Sequence, residues 1–226
     1  TALTPTPARD PRMTARSANC PNCGAAISFR WSSAVQTTCP YCRSILVRHD
    51  VDLERVGTVS DLPETASPIQ LGTEGTFGRV AFVVVGRIVY EYERGGWSEW
   101  YCVGNGGESL WLSDAQLDYA VSRETTPRAA LPAASALRAG EVVETGDLVL
   151  RVTTITRARY RGVEGELPFE YWNKDVVPFA DLVDEQGRFG TIDYSEVPPL
   201  LFVGEYVSFD ALQLRNVRQF ESWPAP

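Results

Sequence analysis

Apolar and polar side chains alternate with a period of two along most of the chain beyond residue 69, and this pattern is typical of strands that bury one face. The longest alternating run has apolar side chains at Val80, Phe82, Val84, Ile88, Tyr90 and Tyr92. Gly86 interrupts this run at a position where a bulge or a sharp bend would be expected. The run therefore predicts a bent strand, which is a common component of small barrels.

Glycine-containing turns separate the strands that follow this run. A Gly-Gly pair at 95–96 leads into a predicted strand over residues 97–103, and an Asn-Gly-Gly turn at 105–107 leads into another over 108–112. Turns of this composition connect neighbouring antiparallel strands. Residues 69–122 therefore predict a first β unit, built as a meander.

A second β unit is predicted over residues 140–218. Apolar and polar positions alternate again through Leu148, Leu150, Val152, Thr154 and Thr156. Gly162 to Gly165 bounds a predicted turn, and further strands are predicted over 189–194 and 202–217. A single larger β domain that includes both units is the alternative.

The remaining segments connect or flank these units. Two prolines prevent a long helix in the Ala- and Pro-rich connector. The predicted organisation is a flexible tail over 1–18, a cysteine-containing module over 19–48, a linker over 49–68, the first β unit, the connector over 123–139, the second β unit, and a tail over 219–226.

Four of the five cysteines form two close pairs, Cys20 with Cys23 and Cys39 with Cys42, and fifteen residues separate the pairs. This spacing marks sites in which four thiolates hold a zinc ion. Two residues between paired cysteines let the chain turn round the metal, and Gly24 permits a positive φ just after the first pair. The sequence predicts one structural Zn²⁺, with iron in a rubredoxin-like site or two redox-active cysteine pairs as alternatives.

The residues between the cysteine pairs include Ala26, Ile27, Phe29 and Trp31, which predict a short hairpin that would complete a zinc ribbon. A module of this size buries too little apolar surface to fold alone, so metal binding would supply much of its folding free energy. Four protein thiolates leave no open coordination position, which favours a structural role. The predicted fold class is mainly β, with an N-terminal zinc ribbon followed by two small, possibly related β-barrel-like units.

Charge is distributed unevenly along the chain. Residues 1–60 hold seven Arg and four Asp or Glu, so they contribute a net charge of +3. Because the whole chain has a net charge of −8, residues 61–226 carry −11. An acidic body repels phosphate backbones, so general nucleic-acid binding is not expected. The alternative is nucleic-acid binding through Arg30, Arg43 and Arg48, which lie in the basic N-terminal part of the chain.

Other functional classes lack the residues that they need. No run approaches the 18–20 apolar residues that cross a bilayer, and cysteine pairs of this kind suit a reducing compartment, so a cytoplasmic protein with no membrane span is expected. The single histidine, His49, has no suitably placed nucleophile beside it. Cys102 lies within a predicted strand, where a buried inert thiol is expected. We therefore expect a protein that is not an enzyme.

Aromatic and acidic side chains are concentrated in the β units. In a strand, Trp97, Glu99 and Tyr101 share one face, while Trp100 lies on the other. Ring faces and negative charge both attract ammonium groups, so these residues form a candidate ligand or partner surface. Further candidate acids lie beside turns and aromatic residues in the second unit: Glu166, Asp181 and Asp193.

Several of these segments together resemble one family. They are the two cysteine knuckles, Gly86-Arg87-Ile88, and Trp97-Ser98-Glu99-Trp100-Tyr101, with weaker similarity downstream at 165–169, 180–182 and 193–195. The chain resembles bacterial zinc-ribbon proteins that carry the uncharacterised domain of unknown function 4178. The resemblance implies an accessory protein encoded near membrane-stress and polyamine-related genes, and it implies no established activity.

Two functional hypotheses follow. The first is a non-enzymatic adaptor or scaffold, in which the zinc ribbon and the β units contact a protein partner, with self-association as one alternative. The second is a protein that binds, or acts on, polyamines or cationic peptides in an acidic aromatic cleft.

Overall fold

A computed structural model describes residues 17–31, 33–49, 52–58, 62, 67–146, 148–170 and 175–219. Regular structure in these residues consists of strands and two short 3₁₀ helices, so the predicted mainly β fold class is confirmed. The helices span Ala134–Ala136 and Asp210–Leu212. The strands are β1 (Ser17–Asn19), β2 (Ala26–Ser28), β3 (Gln36–Thr38), β4 (Ser44–His49), β5 (Asp52–Thr58), β6 (Glu74–Phe77), β7 (Val80–Tyr92), β8 (Gly95–Gly104), β9 (Ser109–Ala115), β10 (Asp118–Thr125), β11 (Val142–Glu144), β12 (Val149–Gly165), β13 (Val176–Val183), β14 (Arg188–Asp193) and β15 (Leu200–Val207).

The cysteine-containing module is built from two hairpins, and each cysteine pair lies in the turn of one of them. Strand β1 pairs with β2 across the first cysteine pair, and β3 pairs with β4 across the second. The prediction of a single hairpin between the cysteine pairs was therefore wrong. Each of β2 and β3 finds its partner on the far side of its own cysteine turn, because that turn already reverses the chain.

Ten strands form one antiparallel sheet in the order β11-β12-β13-β14-β15-β10-β9-β8-β7-β6. An additional pairing of β12 with β7 closes eight of them into a ring. The closure depends on β12, whose residues 151–159 pair with β13 and whose residues 159–165 pair with β7. Because the two predicted β units contribute strands to this one sheet, the structure matches the single-domain alternative in this respect.

Two glycine predictions have different outcomes. The register of β7 against β8 shifts between Val84 and Gly86, so the predicted bulge is confirmed. The predicted turn from Gly162 to Gly165 was wrong, because β12 continues through these residues as it changes partner from β13 to β7. A small register shift near Gly162, where a Cβ would collide with Leu62, accommodates the change.

Some strands fall in segments that were predicted as linker, connector or tail, although the prediction for residues 50–57 of the linker was either a strand or one helical turn. Strand β5 lies within the predicted linker 49–68, since it pairs with β4 and extends the cysteine-containing module into a three-stranded sheet. Strand β10 continues three residues into the predicted connector 123–139, since it pairs with β15 as far as Thr125. Residues 17–18 of the predicted N-terminal tail belong to β1. The rest of that tail, and the C-terminal tail beyond residue 219, lie outside the described residues.

Three apolar clusters surround and fill the ring. The interior cluster takes side chains from strands around the ring and from β4 of the module: Ile45, Val85, Ile88, Tyr90, Tyr101, Trp111, Ala158, Tyr160, Val163, Leu167 and Phe179. A second cluster lies outside β7–β10, where Ile69 and Leu212 cover the sheet. A third lies outside β12–β15, where Leu137 and Val143 cover it. The walls of the ring are thus packed on both faces over much of their area.

No helix in the described part of the chain has both the length and the apolar character needed to cross a membrane.

Candidate metal centre and ring cavity

The four paired cysteines converge on one point. Their sulfur atoms all lie within 4.8 Å of one another. Cys20 Sγ lies 3.6 Å from Cys42 Sγ, and Cys23 Sγ lies 3.7 Å from Cys39 Sγ. Tetrahedral Zn–S bonds of about 2.3 Å would place neighbouring sulfurs about 3.8 Å apart. The four side chains therefore fit a single metal ion of that size, and together they can hold one.

The two cysteine turns have the same backbone construction. Gly24 N donates to Cys20 O at 2.8 Å, and Arg43 N donates to Cys39 O at 2.9 Å. Both donors have a positive φ, 75° at Gly24 and 59° at Arg43. The positive φ that the sequence predicted at Gly24 is confirmed, and an arginine adopts the same conformation in the second turn.

The thiol of Cys42 is poised to ionise. Hydrogen bonding to Ser44, and next to Asn22, lowers the pKa of Cys42 to about 5. In contrast, a backbone hydrogen bond from Ala25 lowers the pKa of Cys23, but desolvation and the neighbouring cysteine sulfurs outweigh it and raise that pKa to about 12. The thiolate is the form that binds a metal ion, so binding must release the proton that Cys23 holds.

A second candidate site lies inside the ring, where two cavities of about 270 and 320 Å³ adjoin each other. Five residues line both of them: Glu99, Ser113, Phe179, Phe189 and Thr191. The first cavity extends from these residues toward Trp111, Phe169 and Phe202, and the second extends toward Tyr92, Asp118 and Tyr206. The interior therefore holds one elongated space with Glu99 near its middle.

The charged residues that line this space are all acidic. Asp193, Glu124 and Glu196 line the first cavity, and Asp181 and Asp118 line the second, in addition to the shared Glu99. Among the described residues that line the two cavities there is no Arg, Lys or His. The ionised acids of this lining therefore have no basic counterpart among the described residues that line the two cavities.

Glu99 is held in a fixed position between two donors. Trp97 Nε1 donates to one carboxylate oxygen at 2.9 Å, and Ser113 Oγ donates to the other at 2.7 Å. Burial raises the pKa of Glu99 to about 7, the two hydrogen bonds oppose the rise, and Asp181 and Asp193 add to it by charge repulsion. Glu99 therefore exchanges its proton near neutral pH, and a bound cation would favour the ionised form.

Asp181 and Asp193 belong to the same group of acids. Thr191 Oγ1 donates to Asp181 at 3.0 Å, and Ser195 N donates to Asp193 at 2.7 Å. Burial raises the pKa of both carboxyls. Together with Glu99 they form a cluster whose members repel one another unless a cation or a proton lies between them.

Aromatic rings surround Glu99. Tyr90 and Trp97 stack with their centroids 4.8 Å apart. The ring of Phe179 meets both of them edge-on, at 5.0 Å from Tyr90 and 5.4 Å from Trp97. Aromatic rings beside carboxylates form an environment that suits ammonium groups.

The structure brings together four of the seven candidate residues of the β units and separates the other three. Trp97, Glu99, Asp181 and Asp193 lie around the ring cavity. Trp100 lies on the outer face of β8, as the alternation predicted, with the Arg87 guanidinium 4.6 Å from its ring. Tyr101 points into the ring but packs against Trp111 and the cysteine-containing module. Glu166 lies under that module and lines neither cavity.

Two residues that had been set aside as catalytic candidates have simple environments. His49 is exposed, and its Nε2 lies 3.1 Å from a carboxylate oxygen of Glu54. Cys102 is buried in the apolar cluster outside β7–β10, and this burial raises the pKa of its thiol above the ordinary value for cysteine.

Several lining residues were not identified from the sequence. Phe179, Phe189, Ser113 and Thr191 all line both cavities, but each looks like an ordinary strand residue. The only signal in the sequence is the alternation that places Thr191 and Asp193 on the same face of β14. That signal tells which residues share a face, and it does not tell which strands lie opposite one another across the ring.

The match to a known family coincides with the ring. The model of the family described as Domain of unknown function (DUF4178) matches residues 70–209, which include all eight strands of the ring. The chain belongs to this family. No curated protein and no solved structure matches the chain. The cysteine-containing module lies before the matched range.

Proposed function

We propose that this protein binds an organic polyamine, or the amino groups of a cationic peptide, in the ring cavity. The observation that carries the proposal is the lining: aromatic rings surround Glu99, further acids extend from it in both directions, and no basic residue of the described lining offsets them. A linear polyamine carries several ammonium groups along an apolar chain, which matches this succession of acids and rings. Each ammonium group would also relieve the repulsion between neighbouring carboxylates.

We also propose that the protein is not an enzyme. In this proposal the carboxylates of the lining, Glu99, Asp181 and Asp193, serve as counter-charges for the ligand.

A thermal-shift and calorimetric screen tests the polyamine proposal. Spermidine and hexane-1,6-diamine are expected to stabilise the protein, whereas hexane-1,6-diol, which has the same chain without charge, is not. Glu99→Gln is expected to weaken spermidine binding about tenfold or more, because a charge-assisted contact is lost. Glu93→Gln, at an exposed position in the β7–β8 turn, is the matched control. Equal binding of the diamine and the diol, or equal affinity in the Glu99 and Glu93 variants, would contradict the proposal.

We also propose that the thiolate cluster holds one Zn²⁺ with a structural role. The sulfur spacing supports a tetrahedral ion, and four protein ligands occupy all positions of a tetrahedral site. Elemental analysis of the purified protein should find about one zinc per chain. Cys39→Ser should lose it and Cys102→Ala should keep it. Iron in place of zinc, or zinc retained by Cys39→Ser, would refute this assignment.

A protein partner on the cysteine-containing module is a second candidate function. It is favoured by Tyr41, which lies between Cys39 and Cys42 with 73% of its surface exposed. An exposed aromatic ring on a rigid turn is a typical anchor for a partner. Tyr41→Ala should abolish capture of the partner, or self-association, without loss of the metal. If the unaltered protein captures no partner and does not self-associate, this candidate is wrong.

A further inference from the structure

The cysteine-containing module packs against a segment of the ring that carries Phe169, a residue of the cavity wall. The connection is the segment 165–169, which begins at the last residue of β12. Val35 N and Gln36 N donate to Leu167 O at 2.9 and 3.2 Å, and Leu167 N donates to Gln36 O at 2.9 Å. These hydrogen bonds attach the segment to β3, which immediately precedes Cys39.

Glu166 strengthens the same attachment. Its two carboxylate oxygens accept hydrogen bonds from Arg30 N at 2.7 Å and from Trp31 N at 2.9 Å. The residue is buried, so these two bonds to the module replace the water that the carboxylate has lost. One side chain of the ring thus fixes the backbone that leads from β2 toward β3.

Aromatic side chains continue the contact into the cavity. The ring of Trp31 lies 5.2 Å from that of Tyr101, and Tyr101 lies 4.9 Å from Trp111. Trp111 in turn stacks on Phe169 with a centroid distance of 5.9 Å. Trp111 and Phe169 line the first cavity. A continuous series of ring contacts therefore runs from the module to the ligand space.

The segment is also held from the side of the ring. Glu166 N donates to Val85 O at 2.7 Å. A Cβ on Gly86 would overlap the backbone carbonyl of Glu166, so only glycine allows this close approach. Residues 165–169 are therefore packed between β7 and the module, and their position depends on both.

The order of the module depends in turn on its metal ligands. Apart from β5, it has two short hairpins and one small cluster of buried side chains, and that cluster includes Cys20 and Cys39 themselves. A unit of this size folds only with help from a bound metal ion or from a neighbouring surface. Ile45, two residues beyond the second cysteine turn, already belongs to the interior cluster of the ring.

We propose that metal binding at the four thiolates and ligand binding in the ring cavity are thermodynamically coupled through Trp31, Glu166 and the segment 165–169. The proposal rests on the proposed function of the cavity. Metal binding orders the module, the module positions Phe169 and Trp111, and these rings complete the cavity. Coupling of this kind is reciprocal, so the amine ligand must raise the metal affinity by the same factor by which the metal raises the ligand affinity.

Calorimetry on the full chain tests the coupling. Spermidine is titrated into zinc-loaded protein and into protein freed of metal by a chelator, and we expect at least tenfold weaker binding without zinc. Competition with a chromophoric chelator should then show an equal rise in zinc affinity when spermidine is saturating. The same spermidine affinity with and without zinc, in protein that stays folded, would overturn the proposal.

Variants keep the test decisive if the metal-free protein unfolds. In the zinc-loaded protein, Glu166→Gln and Trp31→Ala should each weaken both zinc and spermidine binding, and Trp31→Phe should restore much of the loss. Asp52→Asn, which changes an exposed residue in β5 of the same module, is the control and should change neither affinity. If Glu166→Gln and Trp31→Ala also leave both affinities unchanged, the module does not act on the cavity.

Hydrogen exchange separates failure of the coupling from failure of the proposed ligand. Removal of zinc should speed exchange of the Leu167 amide at least tenfold, while amides in the β13–β14 pairing keep their protection. If spermidine does not bind at all but Leu167 responds in this way, the proposed ligand is wrong and the link from metal to cavity wall is supported. If exchange at Leu167 is unchanged while the module amides speed up, the coupling is refuted whether or not spermidine binds.

Discussion

Replacement of Glu99 by glutamine should stabilise the protein at alkaline pH and have little effect in acid. Glutamine keeps the shape of the side chain and can still accept a hydrogen bond from Trp97 or Ser113. What it removes is the negative charge, which burial and the neighbouring acids oppose. The substitution therefore measures how much the ring disfavours an ionised Glu99.

The magnitude follows from the pKa of Glu99, which is about 7 in the folded protein against an ordinary value of 4.5. The folded protein holds this proton more tightly than the unfolded chain, so stability is greatest below pH 4.5 and falls as the pH rises to 7. Above pH 7 both states are ionised and no further loss occurs. The accumulated loss is roughly 3 kcal/mol at pH 8 and roughly 1 kcal/mol at pH 5.

Urea unfolding of the ligand-free protein at pH 5 and pH 8 provides the assay. The stability gained by Glu99→Gln should be larger at pH 8 by about 2 kcal/mol. Glu93→Gln, in the exposed β7–β8 turn, serves as the reference for removal of a charge without burial. An equal effect of Glu99→Gln at the two pH values would refute the argument that the ring interior desolvates this carboxyl.

Three further predictions concern packing and polar contacts, and urea unfolding tests each of them. Gly204→Ala should lower the free energy of unfolding by about 3 kcal/mol or more, because the added Cβ would overlap a backbone carbonyl of β10. Gly57→Ala is the control: the nearest contact of its Cβ is at 3.6 Å, so it should lower the free energy of unfolding by less than about 1 kcal/mol. Similar losses for the two variants would contradict the predicted overlap. Arg87→Ala should cost about 3 kcal/mol, because it leaves Glu164, at 2.9 Å, without its buried partner, and a loss below about 1 kcal/mol would show the pair to be dispensable. Tyr194→Phe removes a 2.8 Å hydrogen bond to the connector carbonyl of Pro132 and should cost about 1 kcal/mol, so an unchanged stability would mean that the bond adds nothing.

The sequence predicted local features far better than contacts between distant strands. Alternation identified β7 and its bulge at Gly86, and cysteine spacing identified the four thiols that can hold a metal ion, because both signals depend on residues close in sequence. Two small barrel-like units were predicted, and the closure of strands from both units into one ring was not. It depends on β12 changing partner at residue 159, and a period of two looks the same whichever neighbour a strand has.

The candidate ligand site, too, was predicted from the sequence only in its local features. Alternation placed Trp97 and Glu99 on one face of β8, and the acidic composition indicated a cationic ligand. The convergence of Asp181 and Asp193 on Glu99 came only from the closed ring, in which strands that are far apart in sequence lie opposite each other. Glu166 was grouped with these acids because it also lies beside a turn and an aromatic residue, but it binds the backbone of the cysteine-containing module.

The pairing of β12 with β7 also determines the order in which this protein should fold. It joins residues as far apart in sequence as Gly86 and Gly165, and the pairing of β10 with β15 joins Tyr119 to Val207, whereas the hairpins from β7 to β10 form between neighbours. Contacts between distant residues have a larger entropic cost of loop closure and usually form late. We therefore expect a late transition state in which an open sheet becomes a closed ring and Glu99 first loses its water. The folding rate of the protein should then decrease as the pH rises toward 7, because an ionised Glu99 must lose its water in this step. Saturating polyamine should restore the folding rate only if the amine binds before the ring is closed.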